Sequence, residues 1–445
     1  MLMNMTRTLK LCAVLVLTSS CAERTLVPEG DDHSLGAFNT SDKGCGDLPT
    51  QPDKLRVDLY EPSFSDPLAA NNPLFPVGIL DRVVLLGSVE GEPLRVETTR
   101  LAGSRRITVN GEEVETIISQ YVAWIDGRIQ EVALDWYGQD DEGAVWYFGE
   151  DVFNYEDGVV ADTEGTWLAG REGPVAMIMP ADPQVENVWR PENACPLVFE
   201  EVTATATGVT VPGPQGSVFD ALIVRELHMD GGFEEKTFAP GYGEFSTGAG
   251  SDLEAVAVAV PTDALPGEEP EEVETLSDGA EEIFALARNG RWRAMAEVAE
   301  EMEEAWDDYR ATGVPPMLEV QMTDALDELD EAIEARDKQE ARQASVKVAL
   351  ASLDFELRYE DREEIDRDLI EVWSRQLVID LRAHDRGAVR GDLATIEIIR
   401  DRLTDARPIL AELGSLKVAA EATDLAGAEE SAAKLRGIVS QLSGS

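Results

Sequence analysis

The chain has 445 residues, enough for two or three domains, and carries 88 acidic against 37 basic residues for a formal charge of −51. So strong a negative charge repels phosphate backbones and anionic headgroups, which excludes nucleic acid and anionic lipid surfaces as primary ligands. Basic residues include just eight Lys, and no dense Asp-Gly calcium loop occurs, so the carboxylates read as a hydrated surface suited to salty water.

In chain order, the first element is an export signal. Arg7 and Lys10 precede an apolar run from Leu11 to Leu17, then Thr18-Ser19-Ser20-Cys21. The run is too short to span a bilayer, so residues 1–20 are expected to be removed. Cleavage there would expose Cys21, the residue that bacterial lipoprotein processing acylates. Thr18 stands where such sites usually carry Leu or Val, and ordinary cleavage with secretion is the alternative. A lipid on Cys21 would be the chain's sole attachment to a membrane. Polar, Gly- and Ser-rich residues 21–50 read as a flexible tether. With Cys12 removed and Cys21 acylated, Cys45 and Cys195 remain as a pair for a disulfide in an oxidising compartment.

Residues 51–262 carry an antiparallel β pattern. Asn110-Gly111, Asp126-Gly127, Glu142-Gly143, Asp157-Gly158 and Asp230-Gly231 mark hairpin turns, because Gly supplies positive φ and Asn or Asp tolerates it. Turns at 126, 142 and 157 predict a meander with strands of about six residues. Alternation such as Tyr121, Ala123 and Ile125 predicts one apolar and one mixed face, as in a half-barrel or curved sheet.

Four segments carry a resemblance: Asn72-Pro73-Leu74-Phe75-Pro76, the run from Asp135 to Glu150, Glu164-Gly165-Thr166-Trp167, and Ala239-Pro240-Gly241-Tyr242-Gly243. Over roughly 70–260 the chain resembles an uncharacterised family of exported bacterial β proteins, which implies a β fold and no particular activity. The Ala-Pro-Gly-x-Gly turn is also similar to one in periplasmic half-barrel proteins that hold lipids.

Residues 263–277, rich in Pro, Glu and Asp, read as an acidic linker, and Asp278 to Glu281 as a capping box opening an all-α region over 278–443. Apolar residues there recur every three or four positions. Asn289, Asp337, Asp385 and Asp424 mark the starts of second helices, at spacings of 48, 48 and 39. Eight helices in four hairpins follow, stacked as a bundle or short solenoid. The fold class is therefore α+β and multidomain.

Chemistry-bearing patterns are sparse. His33, His228 and His384 are far apart, with no metal-ligand spacing, so no metal site and no cofactor are expected. Asp140 and Asp141 beside Trp136, Tyr137, Trp146 and Tyr147 form a candidate ligand site, since aromatic planes flanked by carboxylates bind sugars or cations. Hairpin-tip acids above core aromatics give the same string. Trp292, Trp306 and Tyr309 form a candidate docking stripe for a protein partner, though helical core packing needs the same spacing. The sequence thus reads as a non-enzymatic envelope protein, with an apolar or amphipathic ligand, such as a lipid, on the β domain and an unknown protein partner on the helices. A carboxylate hydrolase of envelope polysaccharide and a structural spacer are the alternatives.

Overall fold

The computed structural model describes residues 45–249 and 252–443. Cys21 and the signal segment lie outside the described residues. Fourteen strands form an antiparallel sheet: β1 (Arg82–Val89), β2 (Glu92–Val109), β3 (Glu112–Ile125), β4 (Arg128–Gln139), β5 (Val145–Glu156), β6 (Val159–Asp162), β7 (Trp167–Leu168), β8 (Ala176–Met179), β9 (Val188–Ala194), β10 (Val198–Gly213), β11 (Gly216–His228), β12 (Phe233–Ala239), β13 (Gly243–Ala249) and β14 (Asp252–Val260). Eight helices follow: α1 (Glu271–Asn289), α2 (Trp292–Arg310), α3 (Pro316–Ala335), α4 (Lys338–Glu356), α5 (Arg362–Ala383), α6 (Arg386–Arg400), α7 (Leu410–Glu421) and α8 (Leu425–Ser443). This is the expected α+β architecture. No described helix is long and apolar enough to cross a membrane.

Sequence chemistry explains the meander. Asn110, Asp126 and Asp157 adopt positive φ, each followed by a Gly that does the same, and each closes a hairpin. The strands are much longer than six residues: β2 runs for 18 and β10 for 16. A turn spacing of 15 or 16 leaves room for about a dozen paired residues, and bulges such as that between Arg100 and Ser104 let the ladder continue through irregular sequence.

Two meanders fan outward from a central pair. β1 lies beside β14, so β2 to β6 extend to one side and β13 back to β9 to the other. The sheet curls until its ends approach without closing. β8 pairs with β5 near one edge, and Trp189 of β9, at the opposite edge, donates its indole N–H to the Ile178 carbonyl of β8 at 3.1 Å.

Both faces of the central strands are buried, not one apolar and one mixed as expected. Val84, Val122, Trp124 and Ile129 on the convex face share a core with the helices, while Val83, Leu85, Val96 and Tyr121 face inward. Helices cover the convex face, so both registers are apolar. Trp124 stacks on Trp373 of α5 at 6.2 Å and donates to Thr395 Oγ1 of α6.

Two boundaries differ from expectation. α1 begins at Glu271, inside the stretch read as a linker, with Asp278 already in its second turn. Val273, Leu276, Ala280, Ile283 and Ala287 form its buried stripe, and Glu271, Glu272 and Glu274 suit the positive N-terminal end. The connection is also held: Asp263 is buried and Leu265 N–H donates to Arg358 O. At the other end, the tether read over 21–50 is fixed from Cys45 onward. Cys45 forms the expected disulfide with Cys195, and Gln51 N–H donates to Glu201. Asp337, Asp385 and Asp424 accept N–H bonds from the first turns of α4, α6 and α8, as their spacing predicted. Asn289 instead ends α1, and α2 starts after Arg291 without a side-chain cap.

Candidate functional site

The concave face of the curled sheet encloses a cavity of about 100 Å³. Its apolar lining comes from Val83 and Leu85 of β1, Val96 of β2, Phe238 of β12 and Tyr242. The same lining carries Asp135 of β4, Glu200 of β10, Glu226 of β11, Lys236 of β12, Glu244 of β13 and Arg100 of β2.

Register brings these charges together. Side chains two apart on a strand share a face, so Glu226 and His228 point the same way, as do Glu234 and Lys236. Glu200 lies opposite His228 on one side and Glu192 on the other, and Glu226 lies opposite Glu234. Asp135 lies opposite Glu150. The inward register is otherwise apolar, with Val198, Val202 and Ala204 flanking Glu200 on β10.

The result is a band of ionisable groups, each 5% exposed or less apart from the half-buried Glu244. Lys236 Nζ sits 2.5 Å from Glu226 Oε2. His228 lies between two carboxylates, Nδ1 at 3.4 Å from Glu200 and Nε2 at 3.5 Å from Glu234. Tyr147 donates its hydroxyl to Asp135 at 2.8 Å and stacks on Tyr137. Glu150 meets Glu192, and Glu200 meets Glu226, carboxyl to carboxyl. Ionised carboxylates only accept, so a bond across either pair requires a proton on one member.

Burial sets the protonation pattern. It pushes Glu131 up to about 8, with Asp135 adding, and Asp135 itself to about 7 against the Tyr147 hydrogen bond. Glu200 rises to about 7 through burial and Glu226, and Glu150 and Glu192 rise further. For Glu226 burial is outweighed by Lys236, which holds it below the usual carboxylate range. Burial works against the charge on His228, and its two flanking carboxylates outweigh it, lifting the imidazole to about 10. Near neutrality the band therefore holds two cations, one firmly ionised carboxylate and several protonated ones.

The ligand residues expected from sequence are divided. Tyr137 lines the cavity and Tyr147 touches the band through Asp135. Asp140 does not face a ligand: it is buried and accepts from Glu142 N–H, Ala144 N–H, Trp146 Nε1 and Tyr60 Oη at 2.5–3.0 Å, holding the β4–β5 turn. Asp141 accepts from Ser65 N–H and Oγ, and Trp136 is buried beneath the Arg105 guanidinium. An acidic turn must quench its free N–H groups locally, and these side chains do so.

Trp306 and Tyr309 are buried against Phe355, with Trp292 half-buried at the start of α2, so the stripe expected to dock a partner is mostly core. Sequence reasoning missed the charged band. Its signal was present on two strands: Glu200, Glu226 and His228 occupy the apolar parity of β10 and β11, whereas Glu234 and Lys236 share theirs on β12 with Phe238 alone.

One His and two carboxylates here could hold a cation: a ligand atom from each of Glu200, Glu226 and His228 lies within 4.8 Å of the others. No family model, curated protein or solved structure matches the chain.

Proposed function

We propose that this is a non-enzymatic binding protein whose concave sheet face takes a small amphipathic ligand. The observation that carries this reading is a cavity whose lining combines apolar side chains with carboxyls. An apolar ligand body fits against Val83, Leu85, Val96 and Phe238, and a hydrogen-bond-donating head such as a primary amine against Glu200, Glu226 and Glu244. A primary amine is a stronger base than these carboxyls, so its arrival ionises Glu200 and Glu244, each raised to about 7, beside the already ionised Glu226.

At about 100 Å³ the cavity has room for roughly seven to ten water-sized spheres, which selects a ligand of about ten heavy atoms or one end of a longer chain. The helices serve as the second layer covering the convex face, and this leaves the concave face for ligand. Export and attachment through Cys21 rest on the N-terminal residues alone and place the binding protein at a bacterial envelope. A hydrolase working through Asp140 and Asp141 is disfavoured, because both carboxylates are engaged in turn hydrogen bonds.

The test is calorimetric titration of the full chain with octylamine and with octanoate. Saturable octylamine binding, weakened at least tenfold in Glu244→Gln and absent for octanoate, is expected. Equal binding of both, or of neither, overturns the reading. Native mass spectrometry of protein purified from its own source then reports the natural ligand as a mass lost on denaturation.

A further inference from the structure

We propose that Glu200, Glu226 and His228 form a binding site for one divalent transition-metal ion of the zinc type. This site shares Glu200 and Glu226 with the amine-ligand reading but stands on its own geometry, and Zn²⁺ and octylamine test the two separately.

The donors come from two neighbouring strands whose register is fixed. Glu200 on β10 is the cross-strand partner of His228 on β11, and Glu226 lies two residues before His228 on the same face. One ligand atom of each falls within 4.8 Å of the others. Tetrahedral zinc with ligands at about 2.0–2.2 Å places them roughly 3.4 Å apart, so side-chain rotations closing at most about 1.4 Å complete the set. One imidazole nitrogen with carboxylate oxygens is a donor set that borderline cations take.

A second observation is independent of the acidic composition. Glu200 Oε2 and Glu234 Oε1 are buried without a partner, and the ring nitrogens of His228 reach their carboxylates only at 3.4 and 3.5 Å, without hydrogen-bond geometry; all three residues are at most 5% exposed. A buried polar atom left unpaired is destabilising, and a single cation satisfies several at once. The orientation of His228 also suits a metal. With Nδ1 turned to Glu200, Nε2 faces Glu234, so Glu234 is placed to orient the ligating ring as an outer-shell carboxylate.

Lys236 is the resident cation and engages Glu226 Oε2, which leaves Oε1 for the ion. Glu192, Glu200, Glu226, Glu234 and Glu244 give five carboxyls around Lys236 and His228, so a dication that displaces protons from this cluster finds carboxylate oxygens on every side. On coordination the metal takes the place of the His228 Nδ1 proton and of the proton shared by Glu200 and Glu226, and both leave to solvent.

The chain has three histidines, so a His33→Gln, His384→Asn variant retains His228 alone. The experiment labels the full-length variant with ¹⁵N-histidine, strips it with chelator, and adds Zn²⁺ in about 0.5 M NaCl to screen surface carboxylates. The expected result is movement of one ring nitrogen to the metal-bound range, complete at one equivalent, with affinity at least tenfold weaker after Glu200→Gln. Ring nitrogens that stay in place through five equivalents, or zinc affinity unchanged in Glu200→Gln, overturn the proposal and leave protons as the groups shared between these carboxyls.

Discussion

Arg402, in the turn after α6, donates Nη1 to Glu97 Oε2 of β2 at 2.6 Å, and neither side chain reaches solvent. Arg402 Nε also donates to Gln120 of β3, and Arg82 and Arg362 both engage Asp366 of α5. Arg95 grips Asp354 of α4 through two bonds of 2.7 and 2.8 Å. The convex face thus meets the helices through a buried ionic seam set into an apolar core, where breaking one partner leaves the other charged and dry. We predict that Arg402→Met costs about 3–5 kcal/mol, read as a lower urea midpoint. Burial opposes the Glu97 charge, but Arg402, Arg95 and Arg82 hold it well below the usual carboxylate range. Its contribution is therefore complete above its unfolded value near 4.5 and is lost as pH falls through the depressed folded value.

Glu131 behaves in the opposite sense. Both its carboxyl oxygens are buried without a donor, and burial raises its folded value to about 8. The proton is bound more tightly in the folded chain, so the associated stability is complete below about 4.5 and lost as pH rises through about 8. Glu131→Gln is expected to be more stable than the parent at pH 9, by up to ~5 kcal/mol, and nearly equal to it at pH 4.5. Thermal melts of both chains across that range check the sign.

Asp140→Ala removes the acceptor for two backbone N–H groups, an indole and a phenol at once. A loss of about 3 kcal/mol is expected, because Trp146 Nε1 and Ala144 N–H are left buried. Octylamine affinity of the folded fraction should be unchanged, since Asp140 does not line the cavity. A selective loss of affinity would assign it a ligand role.

Gly158 shows where the β5–β6 turn docks on α6. A Cβ there would lie 2.2 Å from Gly391 N and 2.3 Å from Gly387 O, and φ is +71°. Gly127 also has positive φ, yet its Cβ would meet open space. Gly127→Ala should cost about 1–2 kcal/mol, the left-handed penalty alone. Gly158→Ala should cost at least 2 kcal/mol more, since backbone on both sides must shift. Chemical denaturation of the pair separates conformational from contact cost.

Local chemistry made much of the fold legible. Asn110, Asp126 and Asp157 before Gly had to be turns, and Asp337 and Asp385 had to cap helices, since each requirement is met within four residues. The start of α1 was hidden because Pro266, Pro270 and the acids around them mask a stripe that begins at Val273. The candidate site was hardly legible. Tyr137 and Tyr147 were singled out with their neighbours, but Asp140 and Asp141 drew attention that belonged to Glu200 and Glu226.

What the sequence by itself determined was the order of elements, the turns, the Cys45–Cys195 pairing and the helical stripes, because period, φ preference and cysteine parity are local or countable properties. What tertiary structure decided was which face each register buries and which charges meet. Glu192, Glu200, His228 and Glu234 are spread over 42 positions but occupy four adjacent strands. Their meeting depends on hairpin register and on the curl of the sheet, and a one-residue slip in either hairpin would turn the same side chains to the other face.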